Sequence, residues 1–144
     1  MPDFRRLSDT MLASPQITVA DVEAAKAAGV TLIVNNRPEG ESDDQTPGSE
    51  IEQAARAAGI EYLAIPIGHA GFSHPQVAKL AEALGKTDGT VLGYCRSGTR
   101  STLLWALAKA DMGSEPEALA AAAAQAGYDV APVRPAMDAL AAAR

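Results

Sequence analysis

The sequence predicts an α/β fold: a central, mostly parallel sheet of four to five strands flanked by helices. Two observations carry this. Short apolar, β-branched runs alternate with helical segments along the chain, the pattern of strands joined by crossover helices. Those runs are unbroken rather than alternating in polarity, as expected of strands buried on both faces. The 144 residues with 47% apolar content suffice for one domain spanning 1–144 with a normal core.

Taken in order, residues 4–7 form a short edge strand. Thr18 caps a first helix that ends near Gly29. The run Val30 to Asn35 (VTLIVN) is a buried strand. Residues 36–48 (NRPEGESDDQTPG after Asn35) are polar, acidic and rich in breakers, and so form a long loop. Ser49 and Glu52 read as a capping box for a second helix stopping at Gly59. Residues 60–67 read as a strand and residues 68–74 (GHAGFSH) as a loop. Ser73 and Gln76 make a second capping box, opening a helix to about Leu84. Thr90 to Tyr94 (TVLGY) is a short buried strand. A helix follows from about Ser101 to Met112, with Trp105 in its apolar run. An Ala-rich helix starts around Ser114, Pro116 and Glu117 and ends at Gly127, and a last short helix follows Pro135.

Charge and composition exclude several classes. A net charge of −6 disfavours nucleic acid and anionic membranes as partners, so any bound anion must be attracted locally. No stretch reaches the roughly 18 apolar residues of a membrane span. The start MPDFRRLSDT lacks the apolar run of a signal peptide, and the lone Cys fits a reducing compartment; together they give a cytoplasmic expectation. One Cys and two His make a structural zinc site improbable, and no cofactor or metal is expected.

The chemistry concentrates in one segment. Cys95 stands between a buried strand and a helix, the place where open α/β sheets bind ligands. Arg96, Ser97, Gly98, Thr99, Arg100 and Ser101 follow it. Gly98 permits a tight turn, the backbone N–H groups can face inward, and the next helix adds its positive end. Arg100 offers a planar fork for two oxygens, and the same field favours the Cys95 thiolate. An apolar core has no use for this set of residues, which separates Cys95 from an inert buried thiol. Arg37, at the end of a buried strand, is a candidate second anion contact, with a salt bridge to its acidic neighbours as the alternative. Ser101 is a candidate hydrogen-bond partner of the Cys95 sulfur, with helix capping the equal alternative. His69 is a candidate proton donor, with a loop-surface position the favoured alternative. Glu39, Glu41, Asp43 and Asp44 are other candidate acids, with a solvated acidic face the favoured reading.

The segment YCRSGTRS resembles the active loop of single-domain rhodaneses, Cys-x-x-Gly-x-Arg followed by Ser. It also resembles the Cys-x5-Arg loop of tyrosine and dual-specificity phosphatases, but is one residue shorter. The whole chain is similar to the beta-lactamase hydrolase-like family, through SPQIT, VNNRPEGE, YLAIPI and the Cys95 loop. That family is described variously as sulfur transferase or phosphatase, and its domain is often fused to a persulfide dioxygenase, a candidate partner. The resemblance implies a dual-specificity-phosphatase-like fold, Cys95 as nucleophile and Arg100 as anion binder.

Three departures favour sulfane-sulfur transfer through a Cys95 persulfide over phosphate chemistry. Only four residues separate Cys95 from Arg100, and a smaller ring suits a terminal sulfur. Tyr94 stands where the phosphatases carry His. The phosphatase acid falls at Gly68 or His69, with no Asp. A cysteine-dependent phosphatase is the alternative reading, and a thiol-based sensor of oxidants or polysulfides the third.

Overall fold

The structure is a computed structural model and describes residues 2–143. The strands are β1 (Arg5–Ser8), β2 (Met11–Ser14), β3 (Val30–Asn35), β4 (Glu61–Ala64) and β5 (Thr90–Tyr94). The helices are α1 (Val19–Ala27), α2 (Gly48–Ala57), α3 (His74–Lys86), α4 (Thr99–Asp111), α5 (Pro116–Gln125) and α6 (Arg134–Ala142), with a 3-10 turn at Ala131–Val133. The sheet order is β1-β2-β5-β3-β4. β2, β5, β3 and β4 run parallel, and β1 adds antiparallel to β2 at one edge. The expected α/β class and strand number therefore hold.

Side-chain alternation along each strand divides the core between the two faces. Ile33, Leu92 and Tyr94 pack with Val22 and Ala25 of α1 and Ile51 and Ala55 of α2. Leu32, Val34 and Val91 pack with Val77 and Leu80 of α3, Leu104 of α4, Leu119 of α5 and Met137 of α6. Helix α4 lies against the middle of the sheet, buried from Ser101 through Ala108, with Trp105 2% exposed. A helix apolar nearly all round is one enclosed on all sides. Gly93 lets it sit close: a Cβ there would meet Met11 Cε at 3.0 Å and Ser101 Cβ at 3.3 Å. The first turn of α4 is thus pressed against the end of β5, and this positions the loop between them.

Four expectations need correction. β2 was not foreseen; Met11–Ser14 is only four residues long and Pro15 ends it. β4 is shorter than 60–67, because Pro66 has no N–H for the ladder; Ile65 and Ile67 still donate to Asn35 and Asn36 carbonyls. The Ser49–Glu52 capping box does not form. Helix α2 begins earlier, with Pro47 as its N-cap residue, and the Glu39 carboxylate accepts from Gly48 N–H at 2.9 Å. Helix α4 starts at Thr99 rather than Ser101, with Gly98 as N-cap at φ 94°. Among the described residues no helix is long and apolar enough to cross a membrane.

Candidate active site

Cys95 follows the last residue of β5, at the carboxyl end of the central strand, and is fully buried. Its Sγ accepts from Gly98 N–H at 3.1 Å. The left-handed conformation of Gly98 makes this possible: the chain reverses within three residues and enters α4. The loop is pinned on its outer side. Cys95 N–H donates to the Ser14 carbonyl at 3.3 Å and Gln16 N–H to the Arg96 carbonyl at 3.2 Å. The Tyr128 hydroxyl donates to the Ser97 carbonyl at 3.0 Å. Ser97 and Thr99 are exposed, and their hydroxyls bond each other at 3.0 Å.

Arg100 projects from the first turn of α4. One terminal nitrogen donates to Glu41 Oε2 at 2.7 Å and to the Ile67 carbonyl at 2.8 Å; the other donates to Glu41 Oε1 at 2.9 Å. The Cys95 sulfur also interacts with this guanidinium, whose pKa is raised further, chiefly by its hydrogen bonds to Glu41. Arg100 therefore stands between a carboxylate and the thiol. Glu41 in turn accepts from Arg37 Nε at 2.9 Å. Hydrogen bonds from Arg100, then from Arg37, outweigh burial and lower its carboxyl to about 2. Glu41 is thus an ionised carboxylate at neutral pH and, though exposed, is paired with two arginines rather than with water alone.

Arg37 is 4% exposed. Besides Glu41, it donates to Gln16 Oε1 and Ser42 Oγ, each at 3.0 Å. Its fork is committed to the protein, which is the salt-bridge alternative. Ser101 is buried, and its hydroxyl donates to Asn36 Oδ1 at 2.7 Å. The hydroxyl proton is therefore directed at Asn36 rather than at the sulfur. Asn36 also donates from Nδ2 to the Ile65 carbonyl and from its backbone N–H to the Tyr94 carbonyl. One buried amide so links β3, β5, the segment after β4 and α4.

Beside this cluster opens a cavity of about 350 Å³ lined by Glu41, Gly68, His69, Arg96 and Arg100. His69 and Arg96 thus line one cavity with Arg100, although His69 lies 31 residues before Arg100. A cavity of about 450 Å³ along β4, between α2 and α3, shares no lining residue with it. Asn36 was not singled out from sequence, and Glu41 stood there only as one of four loop carboxylates, with no link to Arg100 or Arg37. The only signal for them was their place in VNNRPEGE, a segment that carried the family resemblance.

The family model described as beta-lactamase hydrolase-like protein, phosphatase-like domain, matches residues 3–112. A beta-lactamase hydrolase-like protein of Agrobacterium fabrum is 29% identical over 105 residues, 73% of this chain. The match is 24% of that relative, so this chain spans about a quarter of its length. The crystal structure of a candidate phosphatase from Neisseria meningitidis superposes with TM-score 0.82 at 29% identity, covering 96% of this chain and 98% of that one. The kinase-associated phosphatase with its catalytic cysteine replaced by serine gives TM-score 0.73 at 18% identity, covering 100% and 97% of the two chains.

Proposed function

The chain belongs to the beta-lactamase hydrolase-like, phosphatase-like domain family, and from that premise we propose that it is a cysteine-dependent phosphatase acting through a cysteinyl-phosphate. The observation that carries this reading is the buried Cys95 sulfur, held by Gly98 N–H at 3.1 Å with the Arg100 guanidinium beside it. A thiolate, an inward N–H and a planar cation around one point are what attack on a phosphoryl group requires.

In the proposed reaction the Cys95 sulfur attacks phosphorus. The S–P bond forms as the bond to the leaving oxygen breaks. Loop N–H groups and Arg100 carry the charge that collects on the remaining oxygens. The leaving oxygen needs a proton. Glu41, lowered to about 2, has none to give. His69 lines the same cavity and is the proton donor in this reading. Water then attacks phosphorus, His69 takes the proton, and the S–P bond breaks to return the thiolate and release phosphate.

Both the family description and the Neisseria relative favour phosphate chemistry over the sulfur transfer suggested by loop length. Sulfane-sulfur transfer is the second reading, and one observation favours it. The loop holds only four residues between Cys95 and Arg100, and α4 begins at Thr99, inside it. Fewer N–H groups are then free to surround a tetrahedral ion, whereas a persulfide's terminal sulfur needs fewer. Transfer of that sulfur to a thiol also needs no acid.

Intact-mass measurement separates the two. On para-nitrophenyl phosphate, the expected result is turnover with a trapped adduct of about 80 Da, lost in Cys95→Ser. A reversible adduct of about 32 Da from thiosulfate or glutathione persulfide, with no phosphate adduct, transfers the assignment to sulfur.

A further inference from the structure

We propose that Arg96 forms a second anion subsite at the rim of this cavity, so that the substrate carries another anionic oxygen-bearing group beside the one that reacts. This deepens the phosphatase reading and rests on it for the identity of the reacting group.

The basis is the unequal state of the cations around the site. Arg37 is buried and donates to Glu41, Gln16 and Ser42. Arg100 is held by both oxygens of Glu41 and by the Ile67 carbonyl. Arg96 lines the same cavity, is exposed, and its guanidinium makes no hydrogen bond or ion pair among the described residues. Its charge is felt at Asp44, whose carboxyl is lowered mainly by its bond from Ser42, with Arg96 only a minor cause. In a chain of net charge −6, a free arginine fork at the cavity mouth is an attractor for anions that the rest of the surface repels.

The two positions are also separated in depth. Cys95 is fully buried while Arg96, the next residue, is exposed. A group reacting at the sulfur lies inside, next to Arg100. Arg96 then meets a different part of the same molecule, and the 350 Å³ cavity is larger than one tetrahedral oxyanion needs. A guanidinium favours a planar, two-oxygen partner, so a carboxylate is a suitable probe.

Phenyl phosphate and 4-carboxyphenyl phosphate differ only by such a group. Their affinities are to be measured by calorimetry on Cys95→Ser protein, with and without Arg96→Ala. The carboxylated ester should bind about tenfold tighter, and Arg96→Ala should bring that ratio close to one, as loss of a single charge-assisted contact would. Arg96→Lys should retain part of the preference. Equal binding of the two esters, a ratio that survives Arg96→Ala, or no binding of either would each overturn the subsite. Turnover of both esters by the unsubstituted enzyme is read in parallel. A preserved binding ratio without hydrolysis leaves the subsite standing and removes only the phosphatase reading.

Discussion

Arg100 and Glu41, 59 residues apart in sequence, meet as a two-pronged ion pair with N–O distances of 2.7 and 2.9 Å. The pairing fixes which edge of the guanidinium remains for the thiol side of the site. Glu41→Gln keeps the shape but removes the charge, so one prong of the pair turns from acceptor to donor and is lost. Activity on para-nitrophenyl phosphate should fall by roughly ten- to a hundredfold, mainly in kcat, because Arg100 is no longer held in place. An unchanged kcat would mean that Arg100 finds its position without Glu41.

The same residue sets a pH dependence of stability. Folding lowers the Glu41 carboxyl from 4.5 to about 2. A carboxyl lowered in the folded state stabilises it above the unfolded pKa, and that contribution disappears as pH falls through the folded value. Urea denaturation should therefore show wild type losing stability between about pH 4.5 and pH 2 more steeply than Glu41→Gln. Parallel curves would mean that Arg37 and Arg100 bind the neutral side chain as well as the ionised one.

Arg100→Lys should be nearly as damaging as Arg100→Ala. Arg100 holds Glu41 and the Ile67 carbonyl while also interacting with the Cys95 sulfur, and a single ammonium cannot span all three. Steady-state kinetics on both variants is the test, and recovery of most activity with Lys would reduce Arg100 to a source of positive field.

Asn36 is expected to matter for stability as much as for activity. Its side chain satisfies the Ser101 hydroxyl and the Ile65 carbonyl, all out of water. Asn36→Ala leaves both without partners and should cost about 2–3 kcal/mol. Ser101→Ala should cost less, about 1–2 kcal/mol, and the double variant should be less than additive, since the pair share one bond. Strict additivity in chemical denaturation would show that the bond contributes nothing of its own.

What the sequence made legible follows from how local each feature is. β3 and β5 have the boundaries expected of VTLIVN and TVLGY, because a β-branched run flanked by glycine and polar residues defines itself. The Ser73–Gln76 box formed for the same reason. The Cys95 loop, too, is contiguous, so its cysteine, turn and cation could be read together. Glu41 and Asn36 could not. Their roles depend on a loop closed by distant groups: Gln45 donates to the Pro38 carbonyl and accepts from Glu41 N–H, and Glu39 caps α2. In sequence the same carboxylates look like any solvated acidic run. The failed Ser49–Glu52 box has the same origin, since a carboxylate from the loop took over the helix end.

Gly98 offers a test of how tightly the loop is built, with Gly59 as its control. Both have positive φ, 94° and 78°, so alanine at either meets the backbone strain of the left-handed region, about 1–2 kcal/mol. At Gly59 an added Cβ meets nothing within 4 Å. At Gly98 it would run into the Tyr128 hydroxyl and lie 3.3 Å from the Ser14 carbonyl carbon. Tyr128 cannot simply withdraw, because its hydroxyl donates to the Ser97 carbonyl and the residue is buried in the core. Gly98→Ala should therefore cost at least about 1 kcal/mol more than Gly59→Ala in urea denaturation. It should also remove most activity, since the Gly98 N–H that reaches the Cys95 sulfur moves with the turn. Adding Tyr128→Phe, which deletes the clashing oxygen, should recover part of the stability. If Gly98→Ala costs no more than Gly59→Ala and keeps its activity, the loop is soft, and its N–H groups are not held in advance for an anion.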